Sequence, residues 1–234
     1  MRRLSLVIPV YGPDELLQRI LAHVPDLREV AHGAGFELVE TVVVDDGNAT
    51  PLSVPGDAGG ISILRNERNR GKGYSVRRGA LAAKGEWVLM SDVDESTPLT
   101  EFAALAAFAE CGIVCGSRRR GKDGRPIHRR LLSRIFNLLT FTGLSDTQCG
   151  FKLFNMPLMR QAFESLRTER FAFDVELIRR APSVAEVPVV WRGGRRSSLK
   201  VWRDAPRMLW DLALIGATVP RRFRMVTARR SPRP

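Results

Sequence analysis

The chain has 234 residues, 44% of them apolar and 26% charged, a balance that suits one globular domain, or one domain with an appendage, and excludes a chain too polar to bury a core. Its formal net charge of +12 is large for this size and points to anionic partners: nucleic acid, an acidic membrane surface or phosphorylated substrates. Three cysteines, Cys111, Cys115 and Cys149, make neither an even disulfide set nor a metal-site spacing, so a reduced, cytosolic setting is expected. The apolar run after Met1-Arg2-Arg3 is about seven residues long and lacks a small-residue cleavage site, so no signal peptide is expected. No window reaches the roughly 18 apolar residues of a membrane span, and any contact with a membrane is expected to be peripheral.

Leu4 to Pro9 reads as a buried strand that Pro9 ends, because proline cannot donate to a ladder. Tyr11-Gly12-Pro13 turns the chain into a helix with Leu16, Leu17, Ile20, Leu21 and Val24 at helical spacing and Asp14 and Glu15 in its first turn. A second strand, Val39 to Val44, runs into Asp45-Asp46-Gly47, and Ile61 to Leu64 makes a third. Asn69-Arg70-Gly71-Lys72-Gly73 then opens a helix through Val76, Ala80 and Leu81. Glycines at a helix N-terminus let backbone approach a phosphate, and Arg70 and Lys72 add charge. The dinucleotide fingerprint is not met, because Val76 stands where its third glycine belongs.

Trp87-Val88-Leu89-Met90-Ser91 is an apolar run of strand length that ends in Asp92-Val93-Asp94. Two carboxylates delivered to the rim of a sheet suit a divalent cation, which prefers hard oxygen ligands. An acidic turn capping the helix near Pro98 or Leu99 is the competing reading. Strand then helix, repeated, predicts a mostly parallel sheet flanked by helices, with Asp45 and Asp92 at one edge.

Ile113 to Ser117 is the next strand, followed by Arg118-Arg119-Arg120 and a loop rich in Gly, Lys and Arg up to Pro126. His128 to Leu144 predicts a helix of mixed basic and apolar character. Asp146-Thr147-Gln148-Cys149-Gly150-Phe151-Lys152-Leu153-Phe154 leads to a helix around Met159 to Leu166, and Phe171 to Leu177 begins another. Asp174 and Glu176, two apart, do not share a helix face; one is expected to orient a cation near the site and the other to cap or meet solvent. Glu186 to Trp191 is the last predicted strand, with Trp191 read as core and a platform for sugar as the alternative. Ser197 to Lys200 leads into an amphipathic helix from Val201 to Leu214. Residues 1–219 are expected to form a single domain and 220–234 a basic, loosely ordered tail. Cys149 is expected to pack in a tight turn, and His23, His32 and His128 to sit at the surface.

The runs Val-Ile-Pro-Val-Tyr, Val-Val-Val-Asp-Asp-Gly, Arg-Gly-Lys-Gly, Asp-Val-Asp, Gly-Ser-Arg, Asp-Thr-Gln-Cys-Gly-Phe-Lys-Leu-Phe, Phe-Asp-Val-Glu-Leu and Glu-Val-Pro-Val-Val-Trp stand in the order seen in family 2 inverting glycosyltransferases. The chain resembles that family from about Leu4 to Leu214, and within it the polyprenyl-phosphate hexosyltransferases, above all the dolichyl-phosphate glucosyltransferases. The resemblance implies an α/β fold of the GT-A type that binds a nucleotide sugar, a Mg²⁺ or Mn²⁺ ion, and inverting transfer of a hexose to a polyprenyl phosphate. It implies that Pro9, Tyr11 and Asp45, with Asp46 beside it, line the nucleotide pocket, and that Asp92 and Asp94 hold the metal on the donor diphosphate near Arg70 and Lys72. Mannose-synthase relatives continue to a Gln that reaches the metal; Ser96 stands there in this chain. Arg118 and the Gln148-Cys149-Gly150 turn would receive the acceptor phosphate. The family's later Ser-Lys pair is matched approximately by Ser198 and Lys200, with Leu199 between them.

A phosphate acceptor is already ionised near neutral pH and needs no strong base, which suits a site without one. UDP-glucose is the first candidate donor and GDP-mannose the next, with UDP-N-acetylhexosamines open. The acceptor's tail stays in the bilayer, so the protein is expected in the cytoplasm and peripherally on an anionic membrane, through His128 to Leu144 or Val201 to Leu214. A transferase with a soluble acceptor is the alternative enzyme. A basic nucleic-acid-binding module is the alternative outside enzymology, although aromatic residues are not interleaved with the basic runs and nucleic acid is not the expected partner.

Overall fold

The structure is a computed structural model and describes residues 1–54, 60–120, 140, 142–192, 201–221 and 223–226, with backbone alone at 119, 120 and 201–207. Eight strands form one sheet: β1 (Arg2–Val10), β2 (Phe36–Asp45), β3 (Ile61–Arg65), β4 (Trp87–Ser91), β5 (Ile113–Arg120), β6 (Phe151–Asn155), β7 (Ser183–Val190) and β8 (Arg224–Val226). Their order is β3-β2-β1-β4-β6-β5-β7-β8, and every pairing is parallel except those that β6 makes with β4 and β5. The helices are α1 (Asp14–Leu21), α2 (Val24–Gly33), α3 (Lys72–Ala82), α4 (Phe102–Ala106, entered through a 3₁₀ turn), α5 (Met156–Glu164), α6 (Phe173–Arg180) and α7 (Val201–Thr218).

Alternation along the strands assigns each face its cover. Leu4, Leu6 and Ile8 of β1, with Val43 and Leu89, face α1, α2 and α4 through Leu17, Ile20, Leu27 and Phe102. Val7, Val42, Val44, Val88 and Met90 point the other way, onto Val76 and Ala80 of α3 and onto Phe163, Phe173 and Leu177. Gly79 lets α3 lie flush on the sheet: a Cβ there would come within 2.6 Å of Val7 and 2.9 Å of Val44. Each large apolar side chain buried in these layers contributes roughly 1.5–3 kcal/mol.

The elements depart from the sequence expectations at four places. β1 continues through Pro9 to Val10, since β4 pairs only as far as Val7 and Pro9 has a ladder on one side alone. The helix expected from Asp14 to Val24 is two, because Pro25 lacks the N–H that an unbroken helix needs and restarts the chain as α2. Phe151–Asn155 is a strand, and an antiparallel one, hidden from pattern reading by Lys152 inside an otherwise apolar run. The tail expected to be loose from Pro220 contributes β8, which adds to β7 in parallel. Of the expected His128 to Leu144 helix, residues up to 139 and 141 lie outside the described residues.

Candidate active site

Strand direction decides where the acids go. Because β2 and β4 flank β1 in parallel and β6 runs against both β4 and β5, the carboxyl ends of β1, β2, β4 and β5 and the entry to β6 share one edge. Pro9 and Tyr11, Asp45 and Asp46, Asp92 and Asp94, Arg118, and Gln148 to Gly150 therefore gather there, at the place where open α/β sheets bind ligands. Ser198 and Lys200 lie outside the described residues.

Asp45 and Asp46 build the near wall of this edge. Asp45 is fully buried; it accepts from Asn48 N (2.9 Å), Asn48 Nδ2 (2.8 Å) and Leu52 N (3.3 Å), and pairs with Arg65 at 3.2 Å. Asn48 in turn accepts from Gly12 N at 2.9 Å, tying the turn that presents the exposed Tyr11. Asp46 reaches the other way: it accepts from Asn66 Nδ2 (2.8 Å), Arg70 N (3.0 Å) and Gly71 N (2.9 Å), fixing the N-terminus of α3. Arg70 lies over the Tyr74 ring at 4.0 Å and pairs with Glu169, which raises its pKa.

At the centre, Lys72 Nζ is 2.5 Å from Asp92 Oδ1. Asp92 N donates to Gly150 O at 3.0 Å, and a Cβ on Gly150 would stand 1.8 Å from Asp92 Oδ2, so the turn before β6 is the seat of this carboxylate. Asp94 accepts from Ser96 N at 3.0 Å and is half-buried; among the described residues it takes no second partner. Between them and Ser96, Glu95 holds a positive φ of 49°, uncommon for a residue with a side chain, and its carboxylate meets His23 Nδ1 at 2.8 Å. His23, its side chain 43% exposed, stands at the surface beside the acidic turn.

Across the edge, Arg118 makes a bidentate pair with Asp146, through Nε to Oδ2 (2.6 Å) and a terminal nitrogen to Oδ1 (2.5 Å). Burial works against the Asp146 anion, but the Arg118 guanidinium and its backbone N–H outweigh it and hold the pKa below the usual carboxylate range. Glu186 of β7 accepts from Ser145 N (3.1 Å) and Asp146 N (3.0 Å) and so anchors the loop that carries Asp146. Gln148 Nε2, two residues on from Asp146, is buried and, among the described residues, has no acceptor. Cys149 is buried and its thiol is pushed up to about 11 by burial first and Asp146 second, which fits packing and not nucleophilic chemistry.

Asp174 and Glu176 are both buried, so neither meets solvent. Asp174 pairs with the fully buried Lys152 at 2.9 Å. Glu176 accepts from Thr168 N (2.9 Å) and from Arg167 N, and pairs with Arg180, capping the loop that packs on α3. Trp191 is half-buried. Sequence reading passed over Asp146, Glu186, Lys152 and the His23–Glu95 contact. Lys152 alone carried a local signal, as a charge inside an apolar run of strand length.

Residues 5–167 match the model of the family described as glycosyl transferase family 2. The chain belongs to that family. This family 2 glycosyltransferase is 31% identical over 239 residues to the dolichyl-phosphate beta-glucosyltransferase of Dictyostelium discoideum, spanning 91% of this chain and 73% of the relative. It is 32% identical over 243 residues to the mouse protein of the same name, spanning 92% and 75%. Among solved structures it resembles glucosyl-3-phosphoglycerate synthase from Mycobacterium tuberculosis in complex with Mn²⁺, UDP-glucose and phosphoglyceric acid, with a TM-score of 0.69, 17% identity, and 94% and 81% of the two chains covered. Mannosyl-3-phosphoglycerate synthase from Rubrobacter xylanophilus follows at a TM-score of 0.58 and 19% identity, covering 92% and 73%. These likenesses show the GT-A fold, in agreement with the mostly parallel sheet.

The side chains of this transferase fit a divalent cation. Among the described residues no cluster of three or more acidic, His or Cys side chains stands ready to cage a metal, but Mg²⁺ and Mn²⁺ in phosphate chemistry use one or two carboxylates and fill the shell with phosphate oxygens and water. Asp92, with its side chain 38% exposed, and the half-buried Asp94 supply such a pair at an open rim.

Proposed function

We propose that the protein transfers glucose from UDP-glucose to the phosphate of a polyprenyl or dolichyl phosphate, with inversion at the anomeric carbon. The observation that carries the reading is the meeting of two charged constellations on one edge, Lys72–Asp92 with Asp94 on one side and Arg118–Asp146 with Gln148 on the other. Donor and acceptor are both anions, and two cationic poles separated by the Gly150 turn allow both to be held at once. The names of the relatives support glucose and dolichyl phosphate.

In the reaction an acceptor phosphate oxygen attacks the anomeric carbon from the face opposite the leaving group, the bond from that carbon to the diphosphate oxygen breaks, and the electron pair leaves with UDP. Asp92 and Asp94 would hold Mg²⁺ or Mn²⁺, which when bound supplies Lewis-acid stabilisation of the diphosphate charge. Lys72 leaves Asp92 for the diphosphate as that charge grows, stabilising the transition state beyond the ground state. Arg70, beside the same helix N-terminus, adds a fixed cation. Pro9, Tyr11, Asp45 and Asp46 shape the nucleotide pocket, Asp45 and Asp46 by holding its loops and Tyr11 by its exposed ring. Arg118 turns one face of its fork to the acceptor phosphate, together with the Gln148-Cys149-Gly150 turn; an acceptor role for Ser198 and Lys200, outside the described residues, rests on the family resemblance alone. No residue is required to deprotonate the acceptor, which is ionised at neutral pH.

The lipid acceptor requires a docking surface. Leu212 and Ile215 of α7, with Val219 just after it, pack on Ala172 and Val175, while Leu209, Trp210 and Leu214 are exposed, Trp210 at 67%. Among the described residues no helix is long and apolar enough to cross a membrane. An exposed Trp and leucines on one helix, in a chain of net charge +12, support peripheral docking on the cytoplasmic face of an anionic bilayer. The free Cys111, Cys115 and Cys149 suit that reducing compartment. The catalytic unit on this reading is a single domain that takes in β8, beyond the boundary expected at residue 219.

A panel of nucleotide sugars against one polyprenyl phosphate, with Mg²⁺ or Mn²⁺ and with chelator, tests the whole reading. Glucose transfer from UDP-glucose that chelator abolishes is the expected result. Transfer from GDP-mannose alone would change the donor, and equal rates to a short water-soluble phosphate would remove the lipid.

A further inference from the structure

Lys152 is the least expected charge in the molecule. It is the second residue of β6, between Met90 of β4 and Cys115 of β5, with no exposure at all. Its ammonium donates to Cys149 O and lies 2.9 Å from Asp174 Oδ1, itself buried in the first turn of α6. A buried ion pair of this kind can commonly be replaced by apolar residues without loss of stability, so stability alone does not account for it. Its position does. The carbonyl that Lys152 holds belongs to the residue before Gly150, and Gly150 is the seat of Asp92. On the other side, the N-termini of α3 and α6 abut: a Cβ on Gly73 would meet Phe173 Cβ at 2.7 Å, which brings the neighbours Lys72 and Asp174 into one neighbourhood. Burial pushes the Asp174 carboxyl up, and the charges of Lys152 and then Lys72 act against it.

We infer that Lys152 and Asp174 are a positioning pair for Asp92: Lys152 fixes the turn on which Asp92 rests, and Asp174 offers Lys72 a second anion, so that Asp92 can exchange the Lys72 ammonium for a divalent cation. Two of the contacts are direct, Lys72 with Asp92 at the rim and Lys152 with Asp174 in the core, and the abutting N-termini of α3 and α6 set the two pairs side by side. Neither Lys152 nor Asp174 touches substrate. Without Asp174 nearby, the Lys72 ammonium rests on Asp92 alone, and a metal must displace it at greater cost. This inference rests on the proposed metal role of Asp92.

The test is Mn²⁺ binding followed by electron paramagnetic resonance in the presence of UDP, on the full chain, together with thermal unfolding. Asp174→Asn is expected to fold and to bind Mn²⁺ about tenfold more weakly, as loss of groups that orient metal ligands does. Adding Lys72→Met to Asp174→Asn removes the competing ammonium and is expected to recover most of that affinity, which a purely structural defect would not do. Lys152→Met/Asp174→Leu is expected to unfold near the wild-type temperature and still bind Mn²⁺ weakly, because the seat is lost while the core is refilled. Wild-type Mn²⁺ affinity in the folded Asp174→Asn and double apolar variants would overturn the inference and leave the proposed function standing. Failure of both variants to fold would reduce the pair to a fold element and overturn it too. Absence of UDP-linked Mn²⁺ binding in the wild-type chain would overturn the metal reading itself.

Discussion

Gly150 and Asp92 are packed so closely that no side chain fits between them: a methyl group on Gly150 would sit 1.8 Å from Asp92 Oδ2 and 2.2 Å from its carboxyl carbon. The Gly150 carbonyl also accepts the Asp92 N–H at 3.0 Å, so the contact fixes backbone and side chain together. Gly150→Ala must therefore push the Asp92 carboxylate off its seat or shift the turn. The expected outcome is a fall in transfer rate of at least about a hundredfold, since small misplacements in a site cost that much, with far-ultraviolet circular dichroism unchanged. A variant with ordinary activity would show that Asp92 need not stand where it does.

Asp146 makes a stability prediction with a sign. Its native pKa is held below the ordinary value, chiefly by Arg118 acting against burial, so its contribution is fully present above the unfolded value near 3.9 and is lost as pH falls through the native one. Asp146→Asn leaves a mostly buried guanidinium without its anion and is expected to destabilise by about 3 kcal/mol at pH 7. Urea unfolding of both proteins at pH 7 and at pH 3 checks this: the gap should narrow on acidification, and a gap independent of pH would refute the assignment.

Arg118→Lys separates holding from recognition. Lysine keeps the charge but gives up the planar fork, one side of which is committed to Asp146. Initial rates at varied acceptor and at varied UDP-glucose should show a raised KM for the acceptor and an unchanged one for the donor; equal effects on both would place Arg118 outside the acceptor pocket.

The thiol of Cys149, pushed up to about 11, is almost wholly protonated at neutral pH. Incubation with iodoacetamide at pH 7.5 should leave activity intact over an hour, and Cys149→Ala should retain most of the turnover. Rapid inactivation protected by acceptor would instead mark an accessible, activated thiol.

Membrane docking is read by flotation with vesicles. Trp210→Glu/Leu214→Glu places charge on the exposed side of α7 while leaving the buried Leu212, Ile215 and Val219 in place. Binding to vesicles containing anionic lipid should fall severalfold with no change in thermal midpoint. Undiminished binding would move the docking surface elsewhere.

The sequence by itself determined the class of the fold and the address of the chemistry. Apolar runs ending in acids at Asp45 and Asp92 read as buried strands delivering charge to a sheet edge, because the interior of such a run cannot solvate a carboxylate. What only the tertiary structure decided is which charges meet. Asp92 with Lys72, Arg118 with Asp146, Asp174 with Lys152 and His23 with Glu95 are 20, 28, 22 and 72 residues apart, and no local pattern pairs them. The entry of β6 antiparallel between β4 and β5 brings Gly150 against Asp92 and carries Lys152 into the core beside Asp174. A buried charge must find its partner across the core, and that choice is made by packing, which a linear sequence does not display.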